Sequence, residues 1–277
     1  MLKHNQIVIK HDIYDKWGRI YITKGRLITL NSKNINKFKI MGIWEQIITN
    51  TDIICQENIV RFEEALERVN KKYVGIKESY FIYAIEFVQN IIFEEKVFNK
   101  YPYLEILLEH SQLCYTHSID VVILSVILAK AAKHDDQTIK EIAIGALLHD
   151  IGFIFIPKDI IEKDERVLNE EELTIKQNHC NLGMMTMKSV DIPFKSLKII
   201  EQHHEKLDGT GYPCALKEQD IIEEAHIISI AEEFDTRTSY GYQGGSTSIR
   251  DVIQDMYNLP EKFSRKYIGV LKDVFGV

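Results

Sequence analysis

Cysteine is scarce in this 277-residue chain: Cys55, Cys114, Cys180 and Cys214 stand far apart and form no Cys-x-x-Cys pair. That density excludes a disulfide scaffold and fits a reducing, cytoplasmic setting. Positive charge is also in deficit. With 34 Lys and Arg against 41 Asp and Glu, the net charge is -7, and the whole-molecule field repels a nucleic-acid polymer. One small anion at a bound metal is still compatible with that field, because a metal outweighs distant surface carboxylates. Long apolar runs are missing: the stretch after Asp120 ends by Lys130, short of the ~20 residues of a membrane span. The opening Met1-Leu2-Lys3-His4-Asn5-Gln6 has no signal-like apolar core. Proline is rare, and its 5 copies, Pro102, Pro157, Pro193, Pro213 and Pro260, fall between predicted elements.

What the chain does have is a globular balance, 45% hydrophobic and 27% charged, over a length that allows one large or two modest domains. Residues 1–56 read as a small, mixed, strand-rich module. Ile7-Val8-Ile9 and Ile20-Tyr21-Ile22 flank the turn signal Asp15-Lys16-Trp17-Gly18, and Lys24-Gly25 marks a second turn. Asn31 or Ser32 caps a predicted helix carrying Ile35, Phe38 and Ile40, and residues 43–49, after Gly42, read as another strand. Residues 57–100 read as a helical connector. Phe62, Ala65, Leu66 and Val69, then Phe81, Ile82, Ile85, Val88 and Ile92, recur at helical spacing, giving a face for ordinary core or for a homodimer. Residues 101–277 are nearly all helical by pattern, at about 117–134, 137–150, 170–188, 194–204 and 221–239, followed by a C-terminal pair. Residues 241–248 form a loose Gly/Ser-rich loop.

The histidines divide into two groups. His4, His11, His110, His134 and His226 have no motif around them and read as surface or hydrogen-bonded core. His149 and Asp150 end the apolar run 143–148, which drives an imidazole and a carboxylate inward, where unpaired charge is expensive and a metal is the economical partner. His203 and His204 end another helix and lead into Glu205-Lys206-Leu207-Asp208-Gly209-Thr210-Gly211-Tyr212-Pro213. Imidazoles and carboxylates with no cysteine beside them suit Fe, Mn or Zn in a site of catalytic type, rather than a structural thiolate zinc site.

These two segments, His149-Asp150-Ile151-Gly152 and His203-His204-Glu205 through Gly211-Tyr212-Pro213, resemble the HD-GYP family of metal-dependent cyclic di-GMP phosphodiesterases, a branch of the HD hydrolases. The similarity runs from about Tyr101 to near the C-terminus. It aligns Tyr115-Thr116-His117-Ser118 with the family's first-histidine motif, and His179, four residues before Gly183, with its middle histidine. The resemblance implies a mainly α fold: an HD-type helical bundle preceded by the small strand-containing module. It further implies two divalent metal ions, Fe or Mn foremost, with Zn, Mg or Ni as alternatives. His117, His149, Asp150 and Glu232 would hold one, and Asp150, His179, His203 and His204 the other. A third metal is not expected, because Leu113 stands where some members place a carboxylate. His149, Asp150 and Asp208 are the implied catalytic residues. Gly209, Gly211, Tyr212 and Pro213 are the implied loop for substrate and for a signalling-protein partner. The implied reaction opens cyclic di-GMP to the linear dinucleotide, with further cleavage to GMP left open.

Several positions depart from the family pattern. Phe153 replaces the lysine that usually follows His-Asp-Ile-Gly, Glu232 replaces the usual aspartate ligand, and Gly241 stands where an arginine grips phosphate, with Arg237 displaced upstream. Asp120 occupies a spot that is often neutral or basic. A kept metal cage with lost phosphate contacts is also the pattern of a catalytically weak or inactive member, acting as a cyclic-dinucleotide receptor or a protein-interaction scaffold.

Overall fold

The computed structural model describes residues 6–9, 11–29, 37–38, 40–43, 46–47, 64, 67–94, 97–239 and 248–277. The expected cap at Asn31 or Ser32, the positions Ile35, Phe62, Ala65 and Leu66, and Gly241 with its loop lie outside the described residues. The chain divides into two compact units, residues 1–70 with 85–100 and residues 71–84 with 101–277.

In the smaller unit, β1 (Gln6–Val8) pairs antiparallel with β4 (Leu27–Thr29), and β2 (Ile13–Tyr14) with β3 (Ile20–Ile22). The turn between β2 and β3 forms where the sequence signals it. Asp15 Oδ1 accepts from the Trp17 and Arg19 N–H groups, and Gly18 takes the φ of 77° that disfavours a side chain. Ile9, Ile13, Ile22, Phe38, Ile43 and Ile47 make the core of this unit. The strand expected over 43–49 is not formed where the chain is described. Gln46 and Ile47 are helical, and the Ile47 N–H donates to the Ile43 carbonyl. The two isoleucines lie one turn apart on one buried side, a spacing that a short apolar run cannot distinguish from a strand. On α1 (Glu78–Gln89), Ile82 is 47% exposed, although it was predicted to share a face with Val88.

The larger unit is helical. It contains α2 (Tyr103–His110), α3 (Gln112–Ala131), α4 (Asp136–Leu148), α5 (Glu170–Gln177), α6 (His179–Met187), α7 (Phe194–Gln202), α8 (Glu223–Thr238), α9 (Ile249–Tyr257) and α10 (Arg265–Phe275). Polar caps set several starts: Ser111 accepts from the Cys114 N–H, Asp135 from that of Thr138 and Ser248 from that of Asp251, while Asn169 and Glu172 form a capping box. α3 is the central helix, packed by α2, α4, α8 and α10, and residues 118–129 are buried on every face. By length and composition α3 could cross a membrane, but 78% of that stretch is buried inside the protein, as in a core helix.

The helix predicted over 170–188 is two helices. The Asn178 N–H turns back to the Thr174 and Ile175 carbonyls, which ends α5 and leaves His179 at the head of α6. The turn Ile151–Phe155 lies directly against that head. A Cβ on Gly152 would stand 1.9 Å from the His179 carbonyl oxygen and 2.7 Å from the Gly183 nitrogen, so only glycine permits this approach. One packing contact therefore brings the histidine of α6 beside the histidine and aspartate that follow α4.

Candidate metal centre

Five helices deliver the site. His117 comes from the second turn of α3, His149 and Asp150 from the end of α4, and His179 from the head of α6. His203 and His204 follow α7, and Glu232 projects from α8. His149 and His203 are fully buried, and His179 and Asp150 are 1% and 4% exposed.

Backbone carbonyls fix the imidazole tautomers. His149 Nδ1 donates to the Ala146 carbonyl at 2.7 Å, His179 Nδ1 to that of Lys176 at 2.8 Å, and His203 Nδ1 to that of Ile200 at 3.0 Å. A carbonyl only accepts, so each Nδ1 carries the proton and each Nε2 presents a lone pair. Burial, then the neighbouring imidazoles, hold His203 and His204 well below the ordinary histidine pKa, and burial also lowers His179, so these rings stay neutral.

The Nε2 atoms converge. His179 Nε2 and His203 Nε2 are 3.2 Å apart, Asp150 Oδ1 is 3.5 Å from His179 Nε2, and Asp150 Oδ2 is 3.4 Å from His149 Nε2. Glu232 Oε1 is 3.3 Å from His204 Nε2. His149 Nε2 is buried without a hydrogen-bond partner. Two lone pairs facing each other at 3.2 Å and an orphaned buried nitrogen are unfavourable unless a cation lies between them, so the donor set fits a metal. The potential ligand groups are His117, His149 and Asp150; His149, His203 and Glu232; and His179, Cys180, His203 and His204.

The carboxylates have unequal environments. Burial opposes ionisation of Asp150, but the surrounding His149, His179 and His117 hold it far below the usual carboxylate range. Burial pushes Glu232 up to about 7 despite those imidazoles. Asp235, one turn after Glu232, accepts from His117 Nδ1 at 2.9 Å and from Lys72 Nζ at 2.6 Å, and the Tyr73 hydroxyl also donates to it. Against the pull of burial, Asp235 raises His117 to about 9. Sequence reasoning missed Lys72 and Tyr73, which stand 163 and 162 residues from Asp235.

The Gly-Tyr-Pro loop is built onto the same site. The Tyr212 ring stacks on His204 with centroids 4.5 Å apart, and a cis peptide joins it to Pro213. Glu205, 3% exposed, clamps the loop by accepting from the Cys214 N–H at 2.7 Å and the Leu216 N–H at 2.9 Å. A Cβ on Gly211 would lie 2.5 Å from the His204 carbonyl oxygen, and Gly209 has a φ of 82°. Tyr212 and Pro213, with Thr174, Asn178 and Asn181, line a pocket of about 310 Å³. Asp208 stays in the loop rather than joining the imidazoles, its Oδ1 accepting from the Thr210 N–H and hydroxyl.

One departure takes on physical form. Phe153 is buried with its ring stacked on His179, centroids 4.2 Å apart, so an apolar face occupies ground the family gives to an ammonium. The expectation that no cysteine accompanies the histidines is corrected: Cys180 Sγ lies 3.5 Å from His179 Nε2 and 4.0 Å from His203 Nε2. The adjacent His179-Cys180 pair was the available signal. Two of the background histidines have ordinary partners, His110 Nε2 donating to the Ile156 carbonyl and His134 Nε2 to the Tyr267 hydroxyl.

Comparison with known proteins agrees with this architecture. A family model described as HD domain matches residues 103–259. A cyclic di-GMP phosphodiesterase of Thermotoga maritima is 33% identical over 173 residues, 61% of this chain and 47% of that protein. The cyclic di-GMP phosphodiesterase PdeB of Borreliella burgdorferi is 30% identical over 156 residues, 56% of this chain and 41% of that protein. A 3'3'-cGAMP-specific phosphodiesterase 1 of Vibrio cholerae is 33% identical over 146 residues, 53% of this chain and 34% of that protein. The chain thus spans less than half the length of each of these relatives. Among solved structures, Bd1817, an HDG"Y"P protein from Bdellovibrio bacteriovorus, shares the fold at a TM-score of 0.55 and 19% identity, covering 100% of this chain and 97% of that one. With the family model spanning more than half of its length and both signature segments meeting around one buried cluster, the chain belongs to the HD domain family, in its HD-GYP branch.

Proposed function

We propose that this protein is a metal-dependent phosphodiesterase that opens cyclic di-GMP to the linear dinucleotide or on to GMP. The observation that carries this reading is the convergence of the His149 and His179 Nε2 atoms on Asp150, with His149 Nε2 left without a hydrogen-bond partner. His117, His149, Asp150 and Glu232 would hold one divalent ion, and Asp150, His179, His203 and His204 the second, with Fe or Mn foremost. Bound there, the ions supply an acidified water and positive charge against the crowded oxygens of the displacement. The rest follows from the chain's own residues. Carbonyl-anchored imidazoles keep their lone pairs inward, and Asp235 orients His117. Tyr212 and Pro213 present a wall on which a nucleotide can rest. In the hydrolysis, water oxygen bonds to phosphorus as one ribose oxygen departs with a proton. A cytoplasmic location, a homodimer through the connector and a signalling partner at the Gly-Tyr-Pro loop belong to the same reading.

The test is chromatography of cyclic di-GMP incubated with anaerobically purified, iron- or manganese-loaded protein. Linear dinucleotide or GMP formed with turnover is expected. Absence of product from loaded protein overturns the reading in favour of a weak receptor or scaffold, which the stacked Phe153 and the Glu232 substitution favour. The same assay with 3'3'-cGAMP tests the cyclic dinucleotide preferred.

A second expected outcome separates the two readings. Phe153→Lys should raise turnover about tenfold, because a buried ammonium beside the phosphoryl oxygens recovers part of the ~3 kcal/mol such a contact contributes. Unchanged turnover in a folded Phe153→Lys protein would remove the missing cation as the cause of weak activity.

A further inference from the structure

We infer that Cys180 is a thiolate ligand of the metal held by His179, His203 and His204. The inference rests on the metal-centre reading and adds to it a donor that the family resemblance did not supply. Cys180 is fully buried, and its Sγ lies 3.5 Å from His179 Nε2 and 4.0 Å from His203 Nε2, themselves 3.2 Å apart. The four ligand atoms of His179, Cys180, His203 and His204 all fall within 4.8 Å of one another. A tetrahedral centre with metal–sulfur and metal–nitrogen bonds of about 2.3 and 2.0 Å sets sulfur and nitrogen about 3.5 Å apart, and two nitrogens about 3.3 Å apart. The 3.5 Å from Cys180 Sγ to His179 Nε2 and the 3.2 Å between the two Nε2 atoms have that size, and the 4.0 Å to His203 Nε2 would close by about 0.5 Å on binding.

A purely structural cysteine does not account for the arrangement. Both Nδ1 protons are committed to carbonyls, so both Nε2 atoms face the sulfur as acceptors. One thiol proton can satisfy only one of them, leaving the other buried and opposed to its neighbour. A metal satisfies all four donors, and on its entry the thiol proton leaves to solvent, one proton released per ion bound. Asp150 Oδ1, 3.5 Å from His179 Nε2, would be a fifth donor to this ion, expanding it from four-coordinate to five-coordinate when it bridges to the His117 side. The softer donor shifts selectivity: this position should favour zinc, iron or cobalt over manganese or magnesium.

The experiment titrates metal-free, reduced, full-length protein with Co2+ under anaerobic conditions and follows the near-ultraviolet sulfur-to-cobalt charge-transfer band. Wild type should show the band. Cys180→Ser should lose it while keeping the visible ligand-field absorption of imidazole-bound cobalt, with affinity at one site weakened roughly tenfold or more. Cobalt binding without the band, or a band that survives in Cys180→Ser, overturns the thiolate assignment and leaves the imidazole centre standing. Failure of the wild type to bind cobalt overturns both. Should Cys180→Ser not fold, X-ray absorption of the zinc-loaded wild type decides: a sulfur shell at about 2.3 Å supports the assignment, and nitrogen and oxygen neighbours alone overturn it.

Discussion

Asp150→Ala should abolish the metal centre as a unit and lower phosphodiesterase turnover by about a thousandfold. Asp150 places its oxygens 3.4 Å from His149 Nε2 and 3.5 Å from His179 Nε2, so its removal costs both proposed ions a ligand. It also removes the buried negative charge that faces the converging imidazoles, leaving an incoming dication uncompensated. Loss of several kcal/mol of transition-state stabilisation by metal corresponds to a rate loss of about that size, at roughly 1.4 kcal/mol per tenfold. Metal content by elemental analysis and turnover of cyclic di-GMP should fall together. If both stay at wild-type level, the proposed site is wrong. Asp150→Asn separates charge from shape, since it keeps the volume and loses the anion.

The second large effect concerns stability. Gly152→Ala should destabilise the larger unit by about 3 kcal/mol, at the upper end of overpacking costs. The added methyl group would meet the His179 carbonyl oxygen at 1.9 Å and the Gly183 nitrogen at 2.7 Å, both backbone atoms that no rotamer change can move aside. Relief requires the turn Ile151–Phe155 and α6 to separate. That separation withdraws His179 from Asp150, so metal retention should fall along with the urea midpoint. Gly145→Ala provides the contrast. Its Cβ would meet the Ile199 side chain first, at 2.8 Å, where some repacking is available, and a smaller loss is expected. Equal midpoints for Gly152→Ala and wild type would show that this contact is not as tight as the geometry requires.

Much of the larger unit was legible because its signals are local. The apolar run before His149, the His203-His204 pair and the spacing of the loop glycines lie within single helices or turns, and the structure gathers His117, His149, Asp150, His179, His203, His204 and Glu232 into neighbouring ligand groups. What escaped was non-local or ambiguous in period. Lys72 and Tyr73 reach Asp235 across more than 160 residues, and no spacing rule links them. Cys180 escapes a reading based on cysteine-to-cysteine spacing, because its neighbours are the adjacent His179 and the distant His203. Asp208 has an implied role by resemblance alone, and in the structure its Oδ1 accepts from Thr210. The 43–49 segment failed because two isoleucines four apart satisfy a short helix as well as a strand.

The Glu205 clamp ties the loop to the backbone that carries His203 and His204. Between His203 and Leu216 the backbone leaves the ligands, turns through Gly211 against the His204 carbonyl, stacks Tyr212 on His204 and returns to the Glu205 carboxylate. Displacement of this closed circuit by a binding partner would carry strain directly into His204. Thermodynamic linkage then works in both directions. Whatever factor a loop-bound protein imposes on metal affinity, metal loading imposes on the affinity for that protein, and a coupling of about 1–3 kcal/mol would make partner binding report on the metal supply.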